Sequence, residues 1–112
     1  SSFHLDYETT SACGIKLGAY RYASDPTTRI LMFAIAEDSG APCLWNSADP
    51  ACAESQKAHK LLQKAVESNA IIYAHNAGFE LAMSTYRLLA DTGISPPHID
   101  NWRCTLAMCR RA

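Results

Sequence analysis

The run at residues 29–36 constrains the fold most, because its apolar side chains occupy both alternating faces. A strand of this kind is typical of the interior of a sheet, where both faces are covered. Before it, residues 3–8 alternate apolar and polar side chains with the period of a strand. After it, a turn at 38–40 leads to a short apolar stretch at 42–45. The sequence therefore predicts a meander of three antiparallel strands, with the 29–36 strand in the core.

The second half of the chain alternates helices with strands. Residues 16–23, between the first two strands, are predicted to be irregular or a short helix. The elements after the meander are predicted from helical spacing, helix caps and helix-breaking residues. They are a helix from Asp49 to about Ser68, a strand at 70–74, a helix ending at Gly93, a strand at 99–102 and a helix from Thr105 onward. Because strand-helix-strand crossovers place their strands in parallel, we expect an α/β protein with a mixed sheet flanked by helices.

Size and charge limit what one such domain can do. The chain has 112 residues, a net charge of −1 and five cysteines without any CxxC pair. A duplex-binding module normally carries a basic excess, so nucleic-acid binding must depend either on a local basic group or on another part of the protein. The odd cysteine count favours neither a disulfide framework nor a zinc ribbon, and we expect reduced thiols. No apolar run approaches the roughly 20 residues of a membrane span, so we expect a cytoplasmic protein without a membrane partner.

Two carboxylates share the first strand. Asp6 and Glu8 are two residues apart, so both side chains leave the same face of the sheet, at about 7 Å along the strand. Like charges this close raise each other's pKa unless a cation neutralises them. Carboxylate oxygens suit Mg²⁺ or Mn²⁺. The other interpretation is a solvent-facing edge of the sheet with no ligand.

A third carboxylate lies where a strand passes into a helix. Glu80 ends the segment 75–80, which follows the strand at 70–74. Ligands of open α/β sheets gather outside the carboxyl ends of parallel strands. The alternative is purely structural: Asn76 caps the helix, Glu80 complements the helix dipole and Phe79 packs in the core.

Taken together, these segments resemble a known family. Residues 5–10 (LDYETT) and 76–80 (NAGFE) resemble the first and second motifs of the DEDD exonucleases, which have an RNase H-like fold. Residues 18–23 (GAYRYA) and 102–107 (WRCTLA) extend the similarity to the 3′→5′ proofreading domains of phage DNA polymerases related to bacterial DNA polymerase I. The resemblance implies a bacterial or phage-infected cell, with the 3′ end of single-stranded DNA and a polymerase domain of the same parent chain as partners.

The resemblance also implies roles for particular residues. Asp6 is expected to bridge two divalent ions, Mg²⁺ or Mn²⁺, while Glu8 binds one ion and positions the attacking water. Glu80 is expected to serve the second ion. Two metals then stabilise the attacking and leaving oxygens of the displaced phosphodiester. The expected substrate-binding residues are Thr9, Asn76 and Phe79.

The sequence departs from the family pattern in two ways. The second motif ends in Glu80 where the family usually has Asp. The third motif, a Tyr or His shortly before an Asp on a late helix, has no counterpart around Asp91 or Asp100. We therefore expect the chain to be the front portion of a longer exonuclease domain, truncated before its fourth carboxylate and inactive alone. A missing helix would expose apolar sheet surface, so self-association is also expected.

Two rival functions are open at this point. The first is a non-catalytic RNase H-like module that binds nucleic acid or a protein. The second is a Cys/His metal protein, although the irregular spacing of these residues does not favour it.

Overall fold

The computed structural model describes residues 1–105, apart from the side chain of Leu17. Five strands form one mixed sheet in the order β3-β2-β1-β4-β5. β1 pairs antiparallel with β2, which pairs antiparallel with β3, whereas β1, β4 and β5 run parallel. The strands are β1 (Ser2–Thr10), β2 (Arg29–Glu37), β3 (Cys43–Asn46), β4 (Ile71–Ala74) and β5 (Trp102–Cys104). The prediction of an α/β protein with a three-strand meander and parallel strands is confirmed.

The helices mostly follow the predicted order. They are α1 (Ala19–Ser24), α2 (Ala53–Glu67), α3 (Ala77–Met83) and α4 (Leu89–Thr92), with a π-helical turn at Ser84–Leu88 joining the last two, and 3₁₀ turns at Ile15–Leu17 and Ile99–Asn101. Gly93 ends α4, as predicted, and it does so in the left-handed conformation (φ 80°). The helix predicted from Thr105 onward lies almost wholly outside the described residues.

The start of α2 differs from the prediction. Asp49 and Pro50 lie in a turn, and the cap is Cys52, whose Sγ accepts a hydrogen bond from the Ser55 amide. The Ser55 hydroxyl also accepts a hydrogen bond from the Asn46 amide at the end of β3. The helix therefore begins where this serine can be tied to the sheet, three residues later than the capping preference of Asp49 indicated.

The described residues bury one face of the sheet. On β1 the side chains of Phe3, Leu5 and Tyr7 are buried. The alternate side chains of this strand, those of His4, Asp6 and Glu8, are exposed. The opposite surface, which we call the open face, therefore carries the polar residues of β1.

The expectation that β2 is covered on both faces is wrong for the part of the chain that the structure describes. Glu8 pairs with Met32 and Thr9 with Ile30, so Leu31 is an extra residue in a β-bulge. The bulge turns Ile30 into the core and leaves Leu31 42% exposed. The apolar run at 29–36 therefore combines one buried face, a bulge, and an open face on which Met32, Ala34 and Ala36 are half-buried.

The length of β4 sets the position of the site. Its pairing with β1 covers only Ser2 to His4, because β4 ends at Ala74 and the chain turns into α3. From Leu5 on, β1 continues to Thr10 without β4 beside it. The α3 helix follows the end of β4, and its Glu80 contacts β1 in this unpaired part.

Two further observations concern cysteines and membranes. Cys13, Cys43 and Cys52 are free thiols, as expected. Within residues 1–105, the structure contains no helix whose length and apolar character would let it cross a bilayer.

Candidate active site

The two carboxylates of β1 lie on the open face of the sheet. Asp6 is opposite Ala34 on β2, and Glu8 is opposite Met32. Both acidic side chains are exposed. The strand alternation therefore places them on one surface, as the sequence predicted, and the small side chain of Ala34 leaves space beside Asp6.

Glu80 approaches the same strand from the opposite side. It lies on α3 and is only 4% exposed. Its Oε2 accepts a hydrogen bond from the Tyr7 backbone amide at 3.4 Å. β4 does not extend to this position, so the carboxylate meets an amide in the part of β1 that β4 leaves unpaired. Glu80 thus lies against the backbone between Asp6 and Glu8.

The electrostatics of Glu80 reflect its burial. Loss of solvent contact and, to a smaller extent, the negative charge of Asp6 together raise the pKa of Glu80 to about 7, against the opposing effect of the Tyr7 amide. The carboxylates of Asp6 and Glu80 therefore interact electrostatically. A buried carboxylate held beside another carboxylate is the kind of group whose charged form a cation would stabilise.

The three carboxylates do not form a complete cage. Within residues 1–105 there is no group of three or more His, Cys, Asp or Glu side chains arranged to hold a metal ion. This applies equally to the Cys/His metal site that the sequence left open. The donor types nevertheless fit a hard divalent cation, since all three candidates are carboxylates. Asp6 and Glu80 would hold such an ion, with Glu8 on the same surface as Asp6.

The residues predicted to bind substrate surround the end of β1, but each already has a structural contact. The Thr9 hydroxyl is 2.8 Å from the Tyr22 hydroxyl of α1. Phe79 packs its ring against Tyr22 with 5.9 Å between centroids. Asn76 is exposed and caps α3 by accepting a hydrogen bond from the Phe79 amide at 3.4 Å. The structural interpretation of Asn76 therefore holds.

Two residues of this region were missed by the sequence analysis. Tyr22 joins Thr9 to Phe79, and its only sequence signal was its place in the segment 18–23. Ser84 is fully buried, and its Oγ lies 2.7 Å from the Tyr7 hydroxyl. Nothing in the sequence marked Ser84, because its importance comes from a contact with a residue 77 positions away.

A cavity of about 280 Å³ lies on the open face beside Asp6. His4 and Tyr73 form one part of its lining, with stacked rings whose centroids are 5.2 Å apart. Its lining residues are His4, Leu5, Asp6, Ala34, Ala36, Pro42, Tyr73, Ala74, His75 and Thr105. Asp6 is therefore accessible from this cavity, whereas Glu80 is buried and is not part of its lining.

Comparison with known proteins adds no assignment to this geometry. No protein-family model matches the chain, and no curated protein matches it at a significant level of similarity. A function has to be argued from the residues of the chain and their arrangement.

Proposed function

We propose that the chain is part of a metal-dependent 3′→5′ exonuclease domain of the DEDD type. The observation that carries the proposal is the insertion of Glu80 at the Tyr7 amide, between Asp6 and Glu8. A carboxylate that follows the carboxyl end of β4 thereby contacts the strand that carries Asp6 and Glu8, and the carboxyl ends of parallel strands are where ligands bind in open α/β sheets. These are the segments in which the sequence resembles the first and second motifs of that family.

The mixed sheet supports the proposal at the level of the fold. An antiparallel meander followed by two parallel strands is the arrangement expected of an RNase H-like domain, and the order β3-β2-β1-β4-β5 places β1 at its centre. Asp6 and Glu8 thus lie on the central strand. Glu80 comes from the helix that immediately follows β4.

The chain's own residues would have distinct tasks in the reaction. Divalent ions, when bound, would stabilise the attacking and leaving oxygens of an in-line phosphodiester displacement. Asp6 and Glu80 would supply oxygen ligands from the strand and the helix, and Glu8 would orient water on the open face. Thr9, tied to Tyr22, would border the position of the terminal nucleotide. The substrate would be the 3′ end of single-stranded DNA, delivered by a polymerase domain of the same parent chain.

The proposal requires a further carboxylate. Asp91 cannot supply it, because its Oδ2 accepts a hydrogen bond from the Ile30 amide at 2.8 Å and its Oδ1 is paired with Arg87. Asp100 lies in the 3₁₀ turn before β5 and its side chain is 84% exposed. We propose that neither aspartate is the fourth ligand and that, without this ligand, these 112 residues alone have little nuclease activity.

A nuclease assay tests the proposal. Single-stranded DNA labelled at its 5′ end is incubated with Mg²⁺ or Mn²⁺ and with a longer polypeptide that contains this chain and its continuation. Stepwise shortening from the 3′ end is expected, with loss of shortening in Asp6→Ala and unchanged rates in Asp100→Ala. Digestion that persists in Asp6→Ala would refute the assignment of this site.

The second candidate is a non-catalytic RNase H-like module that binds a single strand or a protein. It is favoured by one specific observation: Glu80 is buried and already bonded to Tyr7, as a purely structural carboxylate would be. Binding of single-stranded DNA that is indifferent to Mn²⁺ and to Asp6→Asn would support this module. Binding that depends on both would support the exonuclease.

A further inference from the structure

Tyr7 contacts the α3 helix and the turn that follows it through two different groups. Its backbone amide donates to Glu80 Oε2 at 3.4 Å, and its hydroxyl lies 2.7 Å from Ser84 Oγ. The two helical partners are four residues apart, so they lie one above the other on the same side of the helix. One residue of β1 thus holds two successive turns.

The sequence position of Tyr7 gives this contact its importance. Tyr7 lies between Asp6 and Glu8, but its side chain is on the buried face while theirs are on the open face. The hydroxyl contact with Ser84 therefore fixes the distance between the helix and the strand segment that carries the two acids. β4 does not pair with this part of β1, so hydrogen bonds between these two strands do not fix the distance between the helix and β1 here.

The position of the π-helical turn is consistent with Ser84 being held in place by Tyr7. The turn begins at this residue, so the helical register changes immediately after the residue that Tyr7 contacts. Ser84 faces β1, and Leu88 at the end of the turn is fully buried as well.

We propose that Tyr7, through its hydroxyl contact with Ser84, is a positioning residue that holds the Glu80 carboxylate against β1 at the level of Asp6 and Glu8. It takes no part in the chemistry. The inference rests on the proposed function for the purpose of this arrangement, but the arrangement itself can be measured without any metal or DNA. A tyrosine that merely fills the core would stabilise the fold without affecting Glu80.

The test uses Tyr7→Phe, Ser84→Ala and the double variant in the 112-residue chain. Ser55→Ala is the matched control, because Ser55 is also a fully buried helical serine bonded to the sheet, at Asn46. The first readout is hydrogen exchange of the Tyr7 amide, referred to the Leu62 amide in the middle of α2. The second is Mn²⁺ affinity by calorimetry.

The proposal predicts that Tyr7 amide exchange rises about tenfold in both single variants relative to Leu62, because the amide loses its acceptor more often. Mn²⁺ affinity should fall about tenfold, the lower end of the effect of outer-shell partners. The double variant should lose no more than either single one, since both remove the same contact. Ser55→Ala should leave both readouts unchanged.

Unchanged Tyr7 exchange in Tyr7→Phe and Ser84→Ala would overturn the proposal, whatever the affinity for Mn²⁺. Equal effects of Ser84→Ala and Ser55→Ala on Mn²⁺ would also overturn it, since they would indicate a general loss of stability. If the unaltered chain binds no Mn²⁺ through Asp6, the proposed function fails instead. The exchange measurement then still decides whether Tyr7 positions Glu80.

Discussion

The two faces of β1 differ in what their residues do. Phe3, Leu5 and Tyr7 are buried on one face, and His4, Asp6 and Glu8 are exposed on the other. The buried side chains stabilise the fold, whereas the exposed acids contribute little to packing and are available to a ligand. Glu80 links the two sides, because it comes from the buried helix and reaches the strand backbone beside the acids. The candidate site is therefore built directly on the core, because the strand that carries its acids also carries core residues.

The largest expected effect is on the buried face. Phe33 is fully buried, contacts Tyr7 edge to face and stacks on Trp45. Phe33→Ala should lower the free energy of unfolding by about 3–5 kcal/mol, because it removes buried apolar surface and leaves a cavity. Leu44→Ala on the open face of β3, which is 40% exposed, should cost less than about 1 kcal/mol. Urea unfolding of both variants measures the difference, and equal losses would contradict the contrast between the faces.

The next effect is the pH dependence caused by Glu80. Its pKa rises from 4.5 in the unfolded reference to about 7 in the folded protein, so folding takes up a proton between these values. The contribution of Glu80 to the free energy of unfolding is therefore most favourable below pH 4.5. It falls by up to about 3 kcal/mol as the pH rises to 7.

The Glu80→Gln variant isolates this contribution. Gln keeps an acceptor for the Tyr7 amide but does not ionise, so the variant should be more stable than the unaltered chain at pH 8. The two should converge near pH 4.5. Urea unfolding at both pH values measures the difference, and a constant difference across this range would show that Glu80 titrates normally.

A smaller effect is expected at the β-bulge, where Asp91 of α4 contacts the backbone of β2. Asp91 accepts a hydrogen bond from the Ile30 amide and pairs with Arg87 at 2.6 Å. Asp91→Ala should cost about 2 kcal/mol, because a largely buried amide and cation lose their acceptor. Asp100→Ala, at an exposed carboxylate, is the control and should change stability by less than about 0.5 kcal/mol. Similar values for the two would indicate that the bulge does not depend on Asp91.

The smallest effect concerns the open face. Leu44, Ala34 and Ala36 present apolar surface there, and we expect weak self-association of the chain through it. Leu44→Lys should shift light scattering at high concentration toward the monomer. Gln63→Lys, on the exposed side of α2, should not. A strictly monomeric unaltered chain would remove the reason for this prediction.

Much of the fold could be predicted because it depends on local patterns. The alternation at 3–8 gave the buried and exposed faces of β1, and Gly93 gave the end of α4. The bulge at Leu31 and the start of α2 at Cys52 could not be predicted. Both are determined by contacts with residues outside the local sequence segment, namely the pairing with β1 and the contact of Ser55 with β3.

The candidate site divides in the same way. The two-residue spacing of Asp6 and Glu8 places them on one face, and the sequence alone shows this. The burial of Glu80 and its bond to Tyr7 depend on β4 ending before this part of β1, which sequence periodicity does not reveal. The contact between Tyr7 and Ser84 has the same origin.

The most direct test of the account is a Mn²⁺ titration of the chain by calorimetry at pH 8, where Glu80 is mostly ionised. We predict binding that is lost in both Asp6→Asn and Glu80→Gln and retained in Asp100→Asn. Mn²⁺ binding of unaltered strength in Glu80→Gln would contradict the claim that the helix and the strand share one cation site.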